Sequence, residues 1–133
     1  LLLPSNGKKH VIAGTRGWLC PGDNEYKPSE DNKIYLREAG RLASSLKKAS
    51  VLLENISTSD RGNLYVFMHY PPFNQQKDTL FTQHIESSGA LHCYYGHIHG
   101  QRGIRSAFEG DYKGIDLKLI SCDKVSFMPV LVR

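Results

Sequence analysis

Three of the six histidines in this chain of 133 residues, His69, His97 and His99, stand where short apolar runs stop. Residues 64–69 read Leu-Tyr-Val-Phe-Met-His before Tyr70-Pro71-Pro72, and residues 93–97 read Cys-Tyr-Tyr-Gly-His. Aromatic and β-branched residues favour buried strands, so both runs are expected to be strands that deliver imidazoles at their C-terminal ends. In an open α/β sheet that edge is where ligands bind, because the loops leaving the strands diverge there. His97 and His99 are two residues apart, which in extended backbone turns both to one side, and Gly96 and Gly100 are expected to let the chain turn tightly around them. Neutral imidazole is a ligand for zinc, manganese, iron or nickel. The three histidines are therefore read as metal ligands, the alternative being that they are polar residues at strand ends.

Phe67-Met68-His69-Tyr70-Pro71-Pro72 and Gly96-His97-Ile98-His99 resemble the last two metal-binding motifs of the calcineurin-like metallophosphoesterases, in that family's order. Gly14-Thr15-Arg16-Gly17-Trp18 and Ser121-Cys122-Asp123 are similar to a bacterial branch of predicted phosphohydrolases. The resemblance implies an α/β fold, a four-layer α/β/β/α sandwich with mixed β-sheets around two divalent metals (Mn, Fe, Zn or Ni). It also implies that His69 and His97 share one metal while His99 holds the other. Such a pair lowers the pKa of a bridging water and neutralises phosphoryl charge during hydrolysis of a phosphomonoester or phosphodiester.

The family's upstream Asp-x-His, Gly-Asp-x-x-Asp and Gly-Asn-His motifs, which supply its carboxylates, an asparagine ligand and a proton donor, are missing from the sequence. Gly22-Asp23-Asn24-Glu25 does not replace the second of these, since Tyr26 stands where another aspartate is required. Together with the start at Leu1-Leu2-Leu3-Pro4, this leads to the expectation that residues 1–133 are one domain, the C-terminal portion of a metallophosphoesterase domain. No catalytic residue is assigned within it, and one metal or none is expected in the chain by itself. Half a sandwich would leave an unpaired sheet edge and a bare apolar face, so a homo-oligomer or a retained N-terminal fragment is expected as partner.

Three other functions compete. A non-catalytic remnant would pack with a partner and bind at most one metal. A mononuclear zinc enzyme would use the three histidines alone, with Asp23 or Asp123 at most supporting them. A nucleic-acid module would need a basic face interleaved with exposed aromatics, whereas the tyrosines fall mostly in apparent strands and helix stripes, so nucleic acid is expected only as a phosphoester substrate. A nucleophilic Cys93 is disfavoured by its place in an apolar strand.

Composition agrees with a globular domain. The hydrophobic fraction is 40%, the charged fraction 23% and the net charge +4, which suits an anionic phosphate substrate without specifying one. No apolar run approaches the roughly 20 residues that span a bilayer. Three widely spaced cysteines argue against a disulfide framework and for a reducing, cytoplasmic setting.

Several elements must position the histidines. Residues 10–14 read as a strand, followed by a loop to residue 29 in which Arg16 is a candidate for paired hydrogen bonds to phosphate. Tyr35, Ala39, Leu42, Leu46, Ala49 and Leu53 form a helical stripe over residues 31–54. The loop at residues 70–77 offers Asn74 as a substrate contact, and a short helix capped by Asp78 is expected through residue 88. Residues 104–109, 114–121 and 125–130 read as strands of a second sheet. His84 and His92 are read as structural.

Overall fold

The computed structural model describes residues 1–75 and 77–132; Gln76, in the predicted 70–77 loop, and Arg133 lie outside them. Among the described residues the chain is mixed α/β, with one six-stranded sheet and three helices. The strands are β1 (Leu2–Ser5), β2 (Lys8–Thr15), β3 (Arg61–Met68), β4 (His92–Tyr95), β5 (Gly110–Tyr112) and β6 (Ile115–Leu119). The helices are α1 (Pro28–Glu54), α2 (Leu80–Ser87) and α3 (Gly100–Ser106).

Sheet order is β1-β2-β3-β4-β6-β5. The inner strands β2, β3, β4 and β6 run parallel, and β1 and β5 close the edges antiparallel. Side chains alternate across the inner strands, and one set faces the helices: Val11, Ala13, Leu64, Val66, Met68, Cys93, Tyr95, Ile115, Leu117 and Leu119. Helix α1 lays Tyr35, Ala39, Leu42, Leu46 and Ala49 on this face, and α2 adds Phe81 and Ile85. The Tyr35 hydroxyl accepts from the Leu80 amide at 2.8 Å while its ring meets Phe81 edge-on, so α1 and α2 are joined at the first turn of α2.

The opposite face carries two cross-strand rows, Ile12-Tyr65-His92-Asp116 and Gly14-Phe67-Tyr94-Lys118. Phe67 and Tyr94 stack with centroids 5.1 Å apart. The C-terminal segment passes over these rows, where Val125, Met128, Val130 and Val132 border cavities of about 190 and 100 Å³ together with Phe67, Tyr94 and Tyr65.

Five expectations are corrected. Helix α1 starts three residues early because Pro28, whose fixed φ and missing N–H suit a first helical position, leads it. Thr79, not Asp78, caps α2, exchanging hydrogen bonds with Thr82. Residues 100–106 are helical, and residues 125–130 form no strand: residues 122–127 are turns, Ser126 and Phe127 have positive φ, Pro129 has no N–H to give a ladder, and the Phe127 amide donates to the Cys122 carbonyl. The 114–121 region does form a strand, but β6 pairs with β4 in the one sheet instead of starting a second. No described helix is long and apolar enough to cross a membrane.

Leu42 is fully buried between α1 and the sheet. Leu42→Ala should cost about 3 kcal/mol, read in urea unfolding as a lower midpoint at unchanged slope.

Candidate metal centre

Four parallel strands end on one rung, Thr15-Met68-Tyr95-Leu119. Backbone bonds continue the ladder just beyond it. The His69 and Tyr70 amides both donate to the Arg16 carbonyl, at 3.2 and 2.8 Å, and the Gly96 amide donates to the His69 carbonyl at 3.1 Å. Gly17 makes the Arg16 crossing feasible: its φ is +73°, and a Cβ there would lie 2.9 Å from the Met68 methyl and 3.2 Å from the Tyr70 Cβ.

This geometry brings His69 and His97 together. Their Nε2 and Nδ1 atoms are 3.2 Å apart and their rings meet edge to face. His97 itself takes the left-handed conformation, φ +69°, that was expected of Gly96; Gly100 does turn with positive φ. The Tyr70 ring lies 4.0 Å from the His97 ring and holds it in place. Burial pushes the His97 pKa below its ordinary 6.5, the charges of His69 and His99 add to that, and Glu25 opposes it. The neutral ring that results is the ligating form. Two nitrogen donors on one tetrahedral metal, each bonded at about 2.05 Å, sit roughly 3.3 Å apart, so the observed spacing fits a shared ion.

His99 lies in a different group. It precedes α3, its Nδ1 is 2.9 Å from Asp123 Oδ1, and the second Asp123 oxygen accepts the Gly100 amide at 2.8 Å. The Gly100 N–H holds the Asp123 carboxyl below its usual range against a smaller burial effect, and His99 adds to the lowering. With Nδ1–H given to Asp123, His99 keeps Nε2 as a free donor atom, the arrangement by which carboxylates orient metal-binding histidines. Among the described residues, His99, Cys122 and Asp123 form a three-donor group whose ligand atoms lie within 4.8 Å of one another.

The remaining candidates are tied locally. The Arg16 guanidinium stacks 4.5 Å from the Trp18 ring centroid and pairs with Glu38 at 3.8 Å, yet its side chain stays 48% exposed. The Asn74 amide donates to the Pro21 carbonyl and lines a pocket of about 530 Å³ with Phe73, Lys77, Ile98 and Phe108. Ile98 lies between His97 and His99 in the chain, so this pocket adjoins the histidine loop. Asp23 closes a turn by accepting the Cys20 amide. The described cysteines are free; burial raises the Cys93 thiol strongly and the Cys20 thiol to about 12, which leaves neither as a thiolate near neutrality. His92 stays on the sheet's second face at the start of β4, away from the C-terminal strand ends.

Glu38 was given no role from sequence, and Asp123 only that of supporting a histidine-bound zinc. The contact of Asp123 with His99 was hidden by the placement of residues 114–121 in a second sheet, since only parallel pairing with β4 brings that end to His99. Glu38 had a signal: it falls between Tyr35 and Leu42 on the buried stripe of α1.

In the metal-free chain His97 should titrate below 6.5, and His69→Ala should move it upward, both readable by NMR. Because folding favours its neutral form, its contribution to stability is complete above about pH 6.5 and is lost as pH falls through the folded-state pKa. His97→Ala should flatten the stability profile in that window. Comparison of the chain with protein-family models, curated proteins and solved structures returned no match.

Proposed function

We propose that the chain carries the histidine half of a two-metal phosphoesterase centre. His69 and His97 hold one divalent cation (Mn, Fe, Zn or Ni) and His99 holds a second, with the carboxylate ligands contributed by a segment or chain outside these residues. The observation that carries the reading is the pair of imidazole nitrogens 3.2 Å apart at the common C-terminal edge of parallel strands. When bound, such cations supply an activated water and neutralise charge on the phosphoryl group.

The chain's own residues then have separate tasks. Asp123 accepts a hydrogen bond from the Nδ1–H of His99 and fixes which nitrogen faces the cation. Arg16 offers exposed N–H groups to an anionic oxygen of the substrate. The pocket lined by Asn74, Phe73, Lys77 and Phe108 receives the leaving group. The aromatic face bearing Phe67 and Tyr94, whose cavities the C-terminal segment leaves unfilled, is where the second sheet of a four-layer sandwich, from an N-terminal segment or a second copy of the chain, would pack.

A second reading is a non-catalytic chain that binds at most one metal. It is favoured by one fact: among the described residues no carboxylate hydrogen-bonds to His69 or His97. Elemental analysis and turnover separate the two. The chain alone should bind one cation at most, and His69→Ala or His97→Ala should abolish that binding. Combined with a segment or chain that supplies the carboxylates, and with manganese, it should hold two metals and hydrolyse an aryl phosphate, with activity falling about a hundredfold in either variant. A two-metal form without phosphoester hydrolysis would overturn the proposal.

A further inference from the structure

We propose that Arg16, Arg37 and Arg41, gathered on the buried carboxylate of Glu38, form a second anion site that takes a non-reacting phosphate of a substrate carrying more than one phosphate. The role in substrate choice rests on the phosphoesterase reading; the capacity to bind the anion does not.

Glu38 is 1% exposed, in the stripe α1 lays against the sheet. One of its oxygens accepts the Thr15 hydroxyl at 2.7 Å. The other is approached by Arg41 Nη1 at 2.7 Å, Arg37 Nε at 3.5 Å and Arg16 Nη2 at 3.8 Å. One arginine would neutralise a buried carboxylate. Three leave two positive charges in excess, and their mutual repulsion is relieved by an anion.

The guanidinium groups are anchored but not used up. Their side chains are 48%, 53% and 61% exposed in sequence order, and of the three only Arg41 donates a hydrogen bond to Glu38. Each guanidinium has five N–H donors in a planar fork, so most remain for a ligand. That fork matches two oxygens of a phosphate, a geometry a lysine patch does not offer. Trp18 stacks under Arg16, and its own Nε1–H is held by Asp31 at 2.9 Å, which fixes the plane of one member.

Position links the cluster to the histidines. The Arg16 carbonyl accepts the His69 and Tyr70 amides, so the arginine that reaches Glu38 is fastened to the strand end that presents His69. A substrate with one phosphate at the histidines can therefore place another on the arginines. Lys33, Arg37 and Arg41 follow at intervals of four on exposed positions of α1, so the same site accommodates a soluble bisphosphate or the backbone of a nucleic-acid strand.

Binding of inorganic pyrophosphate and of a short fluorescent oligothymidylate is measured on the chain in excess chelator, so that no result depends on metal. An Arg37→Gln/Arg41→Gln double variant should weaken the probe that binds by about tenfold. Lys47→Gln/Lys48→Gln, which removes equal charge from the same helix away from Glu38, should change it less than twofold. Glu38→Gln separates a built site from a diffuse field: losing the anchor loosens the former, whereas added positive charge tightens the latter. A response to pyrophosphate alone identifies a soluble ligand, and a response to the oligonucleotide alone a polymer. Equal losses in the arginine and lysine variants, or no binding of either probe, overturn the proposal. His69→Ala/His97→Ala should leave binding unchanged, which keeps failure here distinct from failure of the metal reading.

Discussion

The in-register parallel pairing of β3 with β4 is the constraint on which the rest of the molecule depends. Met68 opposes Tyr95, and both point to the helix face, so the residues that follow leave the sheet at one level. The Gly96 amide on the His69 carbonyl extends the ladder past the formal strand ends and prevents the two loops from separating. A slip of one residue would reverse every side chain of a strand, placing Tyr65 and Phe67 under α1 and Leu64 and Val66 on the other face. Thus the pattern that buries the core also sets the spacing of the His69 and His97 nitrogens.

Glu38 performs a similar double service from the helix side. Its contact with Thr15 ties α1 to the terminal rung, and its contacts with arginines hold Arg16 beside that rung. Burial raises the cost of its charge, but the Thr15 hydroxyl, Arg41 and Arg16 outweigh it and hold the carboxyl below its ordinary 4.5. The stability this provides is present above that value and lost as pH falls through the folded-state pKa. Replacing the acid by an apolar residue of similar size would suit the packing; what it would remove is the alignment of three cations.

Strong local signals made part of this arrangement legible. The Leu64–Met68 run, the His92–Tyr95 run and the α1 stripe are long or apolar enough that tertiary context agrees with them, and the histidines fall where those runs end. Strand β1 was missed because Pro4 argues against a central strand, yet proline is tolerated on an edge, and Asn6-Gly7, with φ of +51° and +72°, is a strong two-residue hairpin signal. Helix α3 was misread because Ile104 and Phe108, which anchor it to the core, resemble strand residues in a segment this short. The contact between Asp123 and His99 lay beyond sequence reasoning for another reason. It is set by which strand β6 pairs with, and pairing partners are not written in local pattern.

Negative charge is what this edge of the sheet lacks. The candidate ligands His69, His97 and His99 bring no carboxylate of their own, the arginines exceed their shared carboxylate by two, and Asp123 is already engaged by His99 and Gly100. Two divalent cations at the roughly 4 Å of a binuclear site repel by on the order of 15 kcal/mol even at an effective dielectric of about 20. No arrangement of histidines offsets that; a bridging anion does. On the proposed reading, the same deficit would draw phosphate oxygens to the arginines and would call for carboxylates beside the histidines. A lone cation on His69 and His97 would be held by two neutral donors, while a pair would hold only once acidic residues from elsewhere completed the cage.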